Sequence, residues 1–486
     1  MNSKENLKDL WKGFNIEHQL HVTISTTELI EEANFKVVYM NDLEKRKQVY
    51  GICGECNKPG TGKKWCQPCN AKRFKDNFKN WTSGNKDIDK FIKQSQLNAV
   101  YYLRYLEWIP FENFKDVTYI TRGGFGKIYS ADLPEGYIKY WDIENQKWKR
   151  DSNIKVALKS LDNSSCISTE FLNEIKTHLQ IYLWNVIQCY GITQDPDTKD
   201  YMMVLEYCKN GNLRNYYLNN ESGYYSKIEE LLRIAMGLLD IHNAGKVHKD
   251  FHSGNILYNG SEGTFISDLG MCQPANNENQ SVKQEGIYGV LPYMAPEVLR
   301  GYQYTKASDI YSFGIMMNEY ISEETPYNNI PHNHALAIKI CKGLRPNIFK
   351  YTPKLLTDLI TKCWDAKAEN RPTAKELYQT LNKWYNYWYK NSNSTESQVY
   401  EDIDTESQVK EYNNKIKLNR TSEKRSNNIQ THPQSIYTSR LLNFKNLPEP
   451  VNSDATKTTL HSECLDCQLN ELDLNEINQD DENNSE

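Results

Sequence analysis

Three side chains suited to phosphoryl transfer lie near the middle of the sequence. Asp250 and Asn255 fall within the polar run 247–257, and Asp268 follows within 266–270. Phosphoryl transfer needs one carboxylate to orient an attacking hydroxyl, and further oxygen ligands to hold Mg²⁺ against a triphosphate. We assign the first role to Asp250 and the second to Asn255 and Asp268, which flank one predicted β-hairpin.

A glycine segment and a lysine on an apolar strand precede this cluster. Gly123, Gly124 and Gly126 lie between β-like residues, where glycine lets backbone N–H groups approach a phosphate. Lys159 lies on an otherwise apolar strand, where a charge needs a partner or a ligand. Glu174, on a following helical pattern, can pair with Lys159 and hold its ammonium against the α- and β-phosphates of a nucleotide.

Each of these residues alone has a more ordinary explanation. A glycine segment is more often a turn, a strand lysine is more often exposed at an edge, and a lone carboxylate is more often solvated. Their order and separations make coincidence improbable. Paired carboxylates also serve glycoside hydrolysis, but that chemistry explains neither the glycines nor Lys159. The pattern therefore favours ATP and Mg²⁺ as the groups bound.

The elements that must position these residues change along the chain. β-like segments at 120–131 and 155–161 precede long amphipathic helices after Leu213, which predicts a small sheet followed by a helical lobe. Apolar residues also recur at helical spacing across 72–108. We interpret that stretch as one or two helices that link two domains.

Residues 116–388 resemble the eukaryotic protein-kinase catalytic domain. The resemblance rests on the glycine segment, the Val-Ala-Leu-Lys strand, the His-Lys-Asp loop, Asp-Leu-Gly at 268–270 and Ala-Pro-Glu at 295–297. Asp309 resembles the family's buried aspartate, and Arg371 stands where the family has an arginine that pairs with the glutamate of Ala-Pro-Glu. The resemblance implies an α+β, bilobal fold with a small β-rich lobe and a larger helical lobe.

The catalytic loop is most similar to that of the tyrosine-kinase-like group, whose members mainly phosphorylate serine and threonine. Its insert, 252–254, differs from the Ala-Ala-Arg type of true tyrosine kinases. The resemblance implies catalytic roles for Asp250, Lys159 and Glu174, and magnesium ligation by Asn255 and Asp268. The nucleotide site that it implies comprises Gly123, Gly124, Phe125, Gly126, Ile128, Ala157, Lys159, Leu205, Glu206, Tyr207, Cys208 and Leu257.

Four positions depart from the family pattern. Leu269 replaces the phenylalanine of the family's Asp-Phe-Gly sequence, a change that keeps the metal ligand and an apolar side chain. Thr121 replaces the first glycine of the phosphate loop, which stiffens the loop without removing charge. Lys249 replaces the arginine beside the catalytic aspartate. Because lysine binds a phosphate only as a point charge, we expect phosphorylation at Ser281 or Tyr288 to matter less. Val290 replaces the threonine usual in Ser/Thr-directed kinases, which leaves the residue specificity open.

Four cysteines near the N-terminus have metal-ligand spacing. They are Cys53, Cys56, Cys66 and Cys69. Four thiolates suit a tetrahedral, structural Zn²⁺, so we predict a zinc-ribbon-like unit at 51–70. Reduced thiols, an iron–sulfur cluster or a redox pair are the alternatives. A four-cysteine unit before a kinase domain resembles the arrangement in a large, expanded family of fungal kinase-like proteins.

Composition narrows the class of protein further. The 486 residues contain 58 Lys and Arg against 63 Asp and Glu, so the chain offers no global basic field for nucleic acid or a membrane. No apolar run is long enough to span a bilayer, and the N-terminus lacks a signal-peptide pattern. We expect an intracellular, cytoplasmic protein whose cysteines are mostly thiols or metal ligands.

The sequence thus predicts five regions. They are an unassigned segment 1–50, the cysteine unit 51–70, a helical linker 71–115, the kinase domain 116–388 and an acidic, disordered tail 389–486. An active kinase with protein substrates competes with a pseudokinase scaffold, and with a protein whose cysteine unit and tail bind partners and carry the function. Retention of all the catalytic positions favours an active enzyme.

Overall fold

The computed structural model describes residues 11–12, 22–24, 37–123, 126–161, 169–181, 185–275, 286–393, 403–421 and 431–452. The strands in these residues are β1 (Trp11–Lys12), β2 (Val22–Ile24), β3 (Val37–Tyr39), β4 (Ile52–Cys53), β5 (Glu107–Trp108), β6 (Lys115–Arg122), β7 (Gly126–Leu133), β8 (Tyr137–Asp142), β9 (Lys147–Asp151), β10 (Ile154–Leu161), β11 (Cys189–Gln194), β12 (Tyr201–Glu206), β13 (Lys246–Val247), β14 (Ile256–Tyr258), β15 (Thr264–Ile266), β16 (Gln273–Pro274), β17 (Ile287–Gly289) and β18 (Arg440–Leu442). The helices are α1 (Leu43–Tyr50), α2 (Gln67–Asn77), α3 (Lys86–Asn98), α4 (Thr169–Gln180), α5 (Leu213–Asn219), α6 (Tyr224–Asn243), α7 (Pro296–Leu299), α8 (Lys306–Ser322), α9 (His334–Cys341), α10 (Lys354–Cys363), α11 (Ala374–Asn393) and α12 (Ile403–Thr421).

The chain folds into two compact units. The first comprises Met1–Tyr216, Leu232–His248 and Asn255–Pro274, and the second comprises Tyr217–Leu231, Lys249–Gly254 and Ala275–Glu486. The first unit contains the main sheet, whereas the second is largely helical. The predicted α+β class, with a small sheet followed by a larger helical part, is confirmed.

The sheet of the first unit has six strands in the order β5-β11-β12-β10-β7-β6. Strand β10 lies inside this sheet, and its residues alternate between two apolar clusters. Val156 and Leu158 pack on one face, while Ala157 packs on the other with Phe171 and Ile175 of α4. Because side chains alternate along a strand, Lys159 points to the same face as Ala157, toward helix α4.

The stretch 71–115 contains helix α3, most of helix α2 and strand β5, and it is built into the core of the first unit. Ile88 and Ile92 of α3 belong to the same apolar cluster as Phe171 of α4. Strand β5 joins the main sheet parallel to β11, and a Cβ added at Gly191 would lie 2.2 Å from the carbonyl oxygen of Glu107. This stretch therefore supports α4 instead of forming a separate linker.

Helix α8 is the centre of the second unit. Every residue from Ser308 to Ser322 is buried, and the helix begins with a capping box formed by Thr305 and Ser308. A helix that is apolar all round must be surrounded by other elements. Helix α10, with Leu356, Ile360 and Cys363 buried, packs against α8.

The prediction of a disordered tail is wrong for residues 403–421 and 431–452. Helix α12 buries Val409, Tyr412 and Ile416, which recur at helical spacing as one apolar stripe. Tyr412 donates a hydrogen bond of 2.7 Å to the carbonyl oxygen of Ile321 on α8. The overall composition of the tail did not reveal this stripe, because polar residues surround it.

No helix in the described part of the chain is long and apolar enough to cross a bilayer.

An ion pair between Arg371 and Glu297 fixes the N-terminal end of α7 in the second unit. The guanidinium donates two hydrogen bonds, of 2.7 and 2.8 Å, to the two carboxylate oxygens, and the Arg371 side chain is fully buried. The sequence resemblance predicts this pair, and the structure contains it. Bidentate geometry makes it one of the stronger kinds of ion pair.

Replacing Arg371 by alanine is expected to lower the free energy of unfolding by about 3–5 kcal/mol, because it leaves the Glu297 carboxylate without its buried partner. Chemical denaturation of the full chain, followed by far-UV circular dichroism, measures the change. Lys354→Ala is the control, since Lys354 forms an exposed pair with Asp358 and should change stability by no more than about 0.5 kcal/mol. Equal, small changes in both variants would contradict the prediction.

Candidate active site

Lys159 lies between two carboxylates in the first unit. Its Nζ is 2.7 Å from Glu174 Oε1 and 2.7 Å from Asp268 Oδ1. Burial by itself would lower the pKa of Lys159, but the charges of Asp268 and Glu174 outweigh it and raise that pKa above its ordinary value. The lysine therefore stays cationic at neutral pH. The sequence predicts the Lys159–Glu174 pair, and the contact with Asp268 completes the cluster.

Local backbone geometry brings the three groups together. Asp268 has a left-handed conformation with φ of +58°, an uncommon state for a residue other than glycine. A Cβ at Gly270 would lie 3.0 Å from Glu174 Oε2, so the glycine lets the chain after Asp268 pass close to α4. The Asp-Leu-Gly sequence thus serves both the turn and the approach of the carboxylate to Lys159.

A β-hairpin places Asn255 beside the start of the Asp268 turn. Strands β14 and β15 pair with Ile256 opposite Ile266. The carbonyl oxygen of Asn255 accepts hydrogen bonds from the Ser267 N–H, at 2.8 Å, and from Ser267 Oγ, at 2.9 Å. The two predicted magnesium ligands therefore come from the same end of one hairpin. A carboxylate and an amide are oxygen donors of the kind that Mg²⁺ binds.

The apolar residues predicted to contact adenine come together beside this cluster. Ala157 lies opposite Leu205 in the β10–β12 pair, and both pack in one cluster with Cys208 and Leu257. Ile128 lies opposite Lys159 in the neighbouring β7–β10 pair. The sheet thus brings the predicted apolar lining and the lysine to one region of the first unit.

Two further residues of the predicted nucleotide site, Glu206 and Tyr207, lie at the end of β12 and directly after it. The backbone N–H of Glu206 donates a hydrogen bond of 2.9 Å to the carbonyl oxygen of Gln188. Burial raises the pKa of the Glu206 carboxyl to about 7. Tyr207 is half-buried and directly precedes Cys208.

The structure describes two of the four residues of the predicted phosphate loop, Gly123 and Gly126. The N–H of Gly123 donates a hydrogen bond of 2.9 Å to the carbonyl oxygen of Gly126, which closes the loop between β6 and β7. Gly124 and Phe125 lie outside the described residues, as does Ser281. Thr121, at the first glycine position, is paired with Ile128 in the sheet.

Asp250 belongs to the second unit and is 4% exposed. The preceding residue, Lys249, has a φ of +71°, and its N–H donates a hydrogen bond of 3.0 Å to Asp309 Oδ1. Asp309 is the buried aspartate that the resemblance predicts. The Lys249 ammonium lies over the ring of Tyr304, 5.0 Å from its centre. This contact fixes the direction of the lysine that replaces the family's arginine.

The sequence missed one neighbour of Asp250, the predicted catalytic aspartate. Ser439 Oγ donates a hydrogen bond of 2.5 Å to Asp250 Oδ2. Ser439 comes from the polar tail, to which the sequence reasoning assigned no role. The sequence gives one weak indication that this part of the tail packs on the protein. The two leucines that follow Arg440 form a short apolar run in a polar region.

The four N-terminal cysteines converge as the spacing predicts. Their sulfur atoms all lie within 4.8 Å of one another, and the Sγ atoms of Cys56 and Cys66 are 3.6 Å apart. Tetrahedral zinc with Zn–S bonds of about 2.3 Å places its sulfurs about 3.8 Å apart, so the cluster fits this ion. A hydrogen bond with Cys66 lowers the pKa of the Cys53 thiol to about 5, whereas the same hydrogen bond and burial raise the pKa of the Cys66 thiol. The second cysteine pair lies at the start of helix α2, where Cys66 is the N-cap and Cys69 is in the first turn.

Comparison with known proteins identifies the family. The model of the protein tyrosine and serine/threonine kinase family matches residues 114–381. The chain belongs to this protein kinase family. The matched region begins at strand β6 of the main sheet and ends in helix α11, and it contains every catalytic position predicted from the sequence.

Several curated proteins are similar to this kinase. A probable serine/threonine-protein kinase of Dictyostelium discoideum is 30% identical over 254 residues, which is 47% of this chain and 16% of the relative. The serine/threonine/tyrosine-protein kinase HT1 of Arabidopsis thaliana is 27% identical over 50% of this chain and 62% of the relative. The Arabidopsis serine/threonine-protein kinase STY17 is 29% identical over 44% and 37%. The kinase chain thus spans less than two thirds of each of these relatives.

Proposed function

We propose that this kinase transfers the γ-phosphoryl group of Mg·ATP to hydroxyl groups of proteins, with serine and threonine preferred over tyrosine. One observation carries the proposal: the Lys159 ammonium lies 2.7 Å from both Glu174 and Asp268. A pseudokinase scaffold needs no such cluster. Lys159 and Glu174 are buried and Asp268 is half-buried, so the cluster carries a desolvation cost that a merely structural contact does not require. Phosphate positioning is the role that fits these charges.

Each residue of the site has a separate task in this proposal. Lys159, held by Glu174, positions the α- and β-phosphates. Backbone N–H groups of the loop 123–126 cover the β- and γ-phosphates, while the N–H of Gly123 closes that loop. Asp268 and Asn255 would hold Mg²⁺, which supplies the positive charge that neutralises the triphosphate. Ala157, Ile128, Leu205, Cys208 and Leu257 would enclose the adenine ring, with Glu206 and Tyr207 at its edge.

Asp250 acts on the acceptor in this proposal. Its carboxylate orients the attacking hydroxyl and accepts the proton as the new P–O bond forms. Because phosphoryl transfer demands little covalent chemistry of the protein, most of the rate enhancement would come from positioning and charge.

The finer assignments rest on sequence resemblance. The catalytic loop supports membership of the tyrosine-kinase-like group, and the cysteine unit before the kinase domain supports kinship with the expanded fungal family. Free cysteines, nine of which are described, fit a cytoplasmic protein. We also propose that the cysteine cluster binds one structural Zn²⁺, because its sulfur spacing fits this ion.

Replacing Asp268 by asparagine is expected to reduce phosphate transfer by about 100-fold or more, because it removes a charged ligand of the metal that stabilises the transition state. Transfer of labelled phosphate from [γ-³²P]ATP to a generic acceptor protein measures the loss. Asp358→Asn, an exposed site on α10, is the control with the same chemical change. Wild-type protein that binds ATP without transferring label would instead support the scaffold hypothesis.

A further inference from the structure

The C-terminal segment 431–452 covers the catalytic aspartate of the second unit. Ser439 Oγ lies 2.5 Å from Asp250 Oδ2 and donates its hydrogen bond to that oxygen. Asp250 is buried, and Ser439 is half-buried. A hydroxyl that donates to this carboxylate has the geometry that a general base requires of its acceptor. This contact is the starting point of the inference.

The residues that follow Ser439 pair with the segment between Asp268 and the Ala-Pro-Glu sequence. Strand β18 runs antiparallel to β17, with Arg440 opposite Gly289 and Leu442 opposite Ile287. Leu442 is 8% exposed, whereas its neighbour Leu441 is 70% exposed. The strand therefore docks through one face, as an extended peptide does when it adds to a sheet edge.

Further hydrogen bonds hold the segment on both sides of Ser439. On the N-terminal side, the His432 N–H donates to the carbonyl oxygen of Asn328 at 2.8 Å. On the C-terminal side, the Val451 N–H donates to the carbonyl oxygen of Cys341 at 3.0 Å. The Arg440 guanidinium donates to the carbonyl oxygen of His332 at 2.6 Å. Contacts along the whole segment thus fix the position of the serine.

Other hydroxyls of the segment are directed elsewhere. Ser435 Oγ donates to the carbonyl oxygen of Ile330 at 2.8 Å, and the Tyr437 hydroxyl donates to that of Pro326 at 2.8 Å. Thr438, the immediate neighbour, is exposed. The docked conformation therefore presents Ser439 to the catalytic carboxylate.

We propose that Ser439 is a phosphoacceptor of this chain's own catalytic site, and that segment 431–452 is a tethered substrate occupying the acceptor groove, by which we mean the surface beside Asp250 and strand β17 on which the segment lies. The inference rests on the proposed function. Ser439 Oγ forms a bond to the γ-phosphorus of ATP, and the bond from that phosphorus to the β–γ bridging oxygen breaks. ADP leaves with the electron pair, and the hydroxyl proton passes to Asp250.

Two consequences follow from this arrangement. While the segment is docked, it excludes external protein acceptors from the same groove. Once formed, the phosphate would add about −1.5 to −2 charges beside the carboxylate of Asp250. Repulsion between these groups favours release of the segment, so phosphorylation of Ser439 would open the groove to other substrates.

Phosphosite mapping by mass spectrometry tests the first part. After incubation of the full chain with Mg·ATP, we expect phosphate on Ser439 at an initial rate per molecule that is independent of protein concentration, as an intramolecular reaction requires. Thr438→Ala should retain this product, and Ser439→Ala should lose it. A rate that rises in proportion to protein concentration would overturn the tethered-substrate proposal, because it would indicate transfer between molecules.

Paired leucine variants test the occupancy of the groove. Leu442→Asp places a charge where the strand docks, whereas Leu441→Asp places it on the exposed side of the same strand. We take the segment to fill the groove in about nine tenths of the molecules. Leu442→Asp then releases the segment and lowers the KM for an external acceptor about tenfold, whereas Leu441→Asp leaves that KM unchanged. Equal KM values in the wild type and both variants would contradict the proposal.

The same assays separate failure of the inference from failure of the proposed function. Transfer to an external acceptor without phosphate on Ser439 would overturn the inference and leave the kinase function intact. Absence of transfer to any acceptor, in the wild type and in Leu442→Asp alike, would overturn both.

Discussion

Replacing Asp250 by asparagine is expected to lower the turnover number for phosphate transfer by about 10²- to 10⁴-fold. The amide keeps the shape of the side chain but cannot accept the proton of the attacking hydroxyl. The KM for ATP should change little, because the nucleotide contacts assigned here come from Lys159, the glycine loop and the adenine pocket. Initial rates at several ATP concentrations, with a generic acceptor protein, measure both quantities.

The control for this variant is Asp358→Asn, which makes the same change on the exposed surface of α10. Both variants should have the far-UV circular dichroism spectrum of the wild type, because Asp250→Asn adds no volume to the buried site. A near-normal turnover number in Asp250→Asn would refute the role of general base. A raised KM for ATP with normal turnover would assign Asp250 to nucleotide binding instead.

Removal of zinc is expected to unfold the cysteine unit. Zinc-finger peptides obtain about 10–16 kcal/mol from their metal at neutral pH, far more than the few apolar contacts of a unit this small can supply. The effect should extend beyond the unit, because Trp65 beside Cys66 stacks on Tyr105 at 5.8 Å between ring centres. Trp65 Nε1 also donates a hydrogen bond of 2.7 Å to the carbonyl oxygen of Ala99, directly after α3. Helix α3 in turn packs in one apolar cluster with α4, which carries Glu174.

Metal analysis and thermal unfolding of the full chain test this expectation. The protein as purified should contain one zinc per chain, and a strong chelator should both remove it and lower the unfolding temperature. Cys56→Ser should reproduce the loss of metal, whereas Cys272→Ser, outside the cluster, should retain one zinc. A metal-free protein with an unchanged unfolding temperature would show that the cluster consists of ordinary thiols.

Much of the site could be predicted from the sequence because its residues are tied to local geometry. Asp268 must be followed closely by glycine so that its turn can approach α4, and Lys159 must lie on a strand at the same face as Ala157. Such geometric requirements fix residue types at short, constant separations, and these motifs can be recognised in the sequence. The pairing of Arg371 with Glu297, by contrast, came from family resemblance, since nothing local links residues so far apart in the chain.

Contacts of the tail could not be predicted, because their partners lie far away in the sequence. Lys227 is fully buried and donates hydrogen bonds to Glu323 at 2.8 Å and to the Tyr412 hydroxyl at 3.2 Å. Glu323 also accepts hydrogen bonds from Arg420 at the end of α12. A polar composition indicates disorder only when no such partners exist. The same reasoning explains why Ser439 was overlooked.

Transfer of the γ-phosphoryl group by the wild-type chain is the most direct test of the proposed kinase activity. The full chain would be incubated with [γ-³²P]ATP and a generic acceptor, with Mg²⁺ or with excess chelator of Mg²⁺, and the labelled protein would be hydrolysed for phosphoamino-acid analysis. We expect label that requires Mg²⁺ and is recovered as phosphoserine and phosphothreonine. Bound ATP with no label in either protein would contradict this expectation.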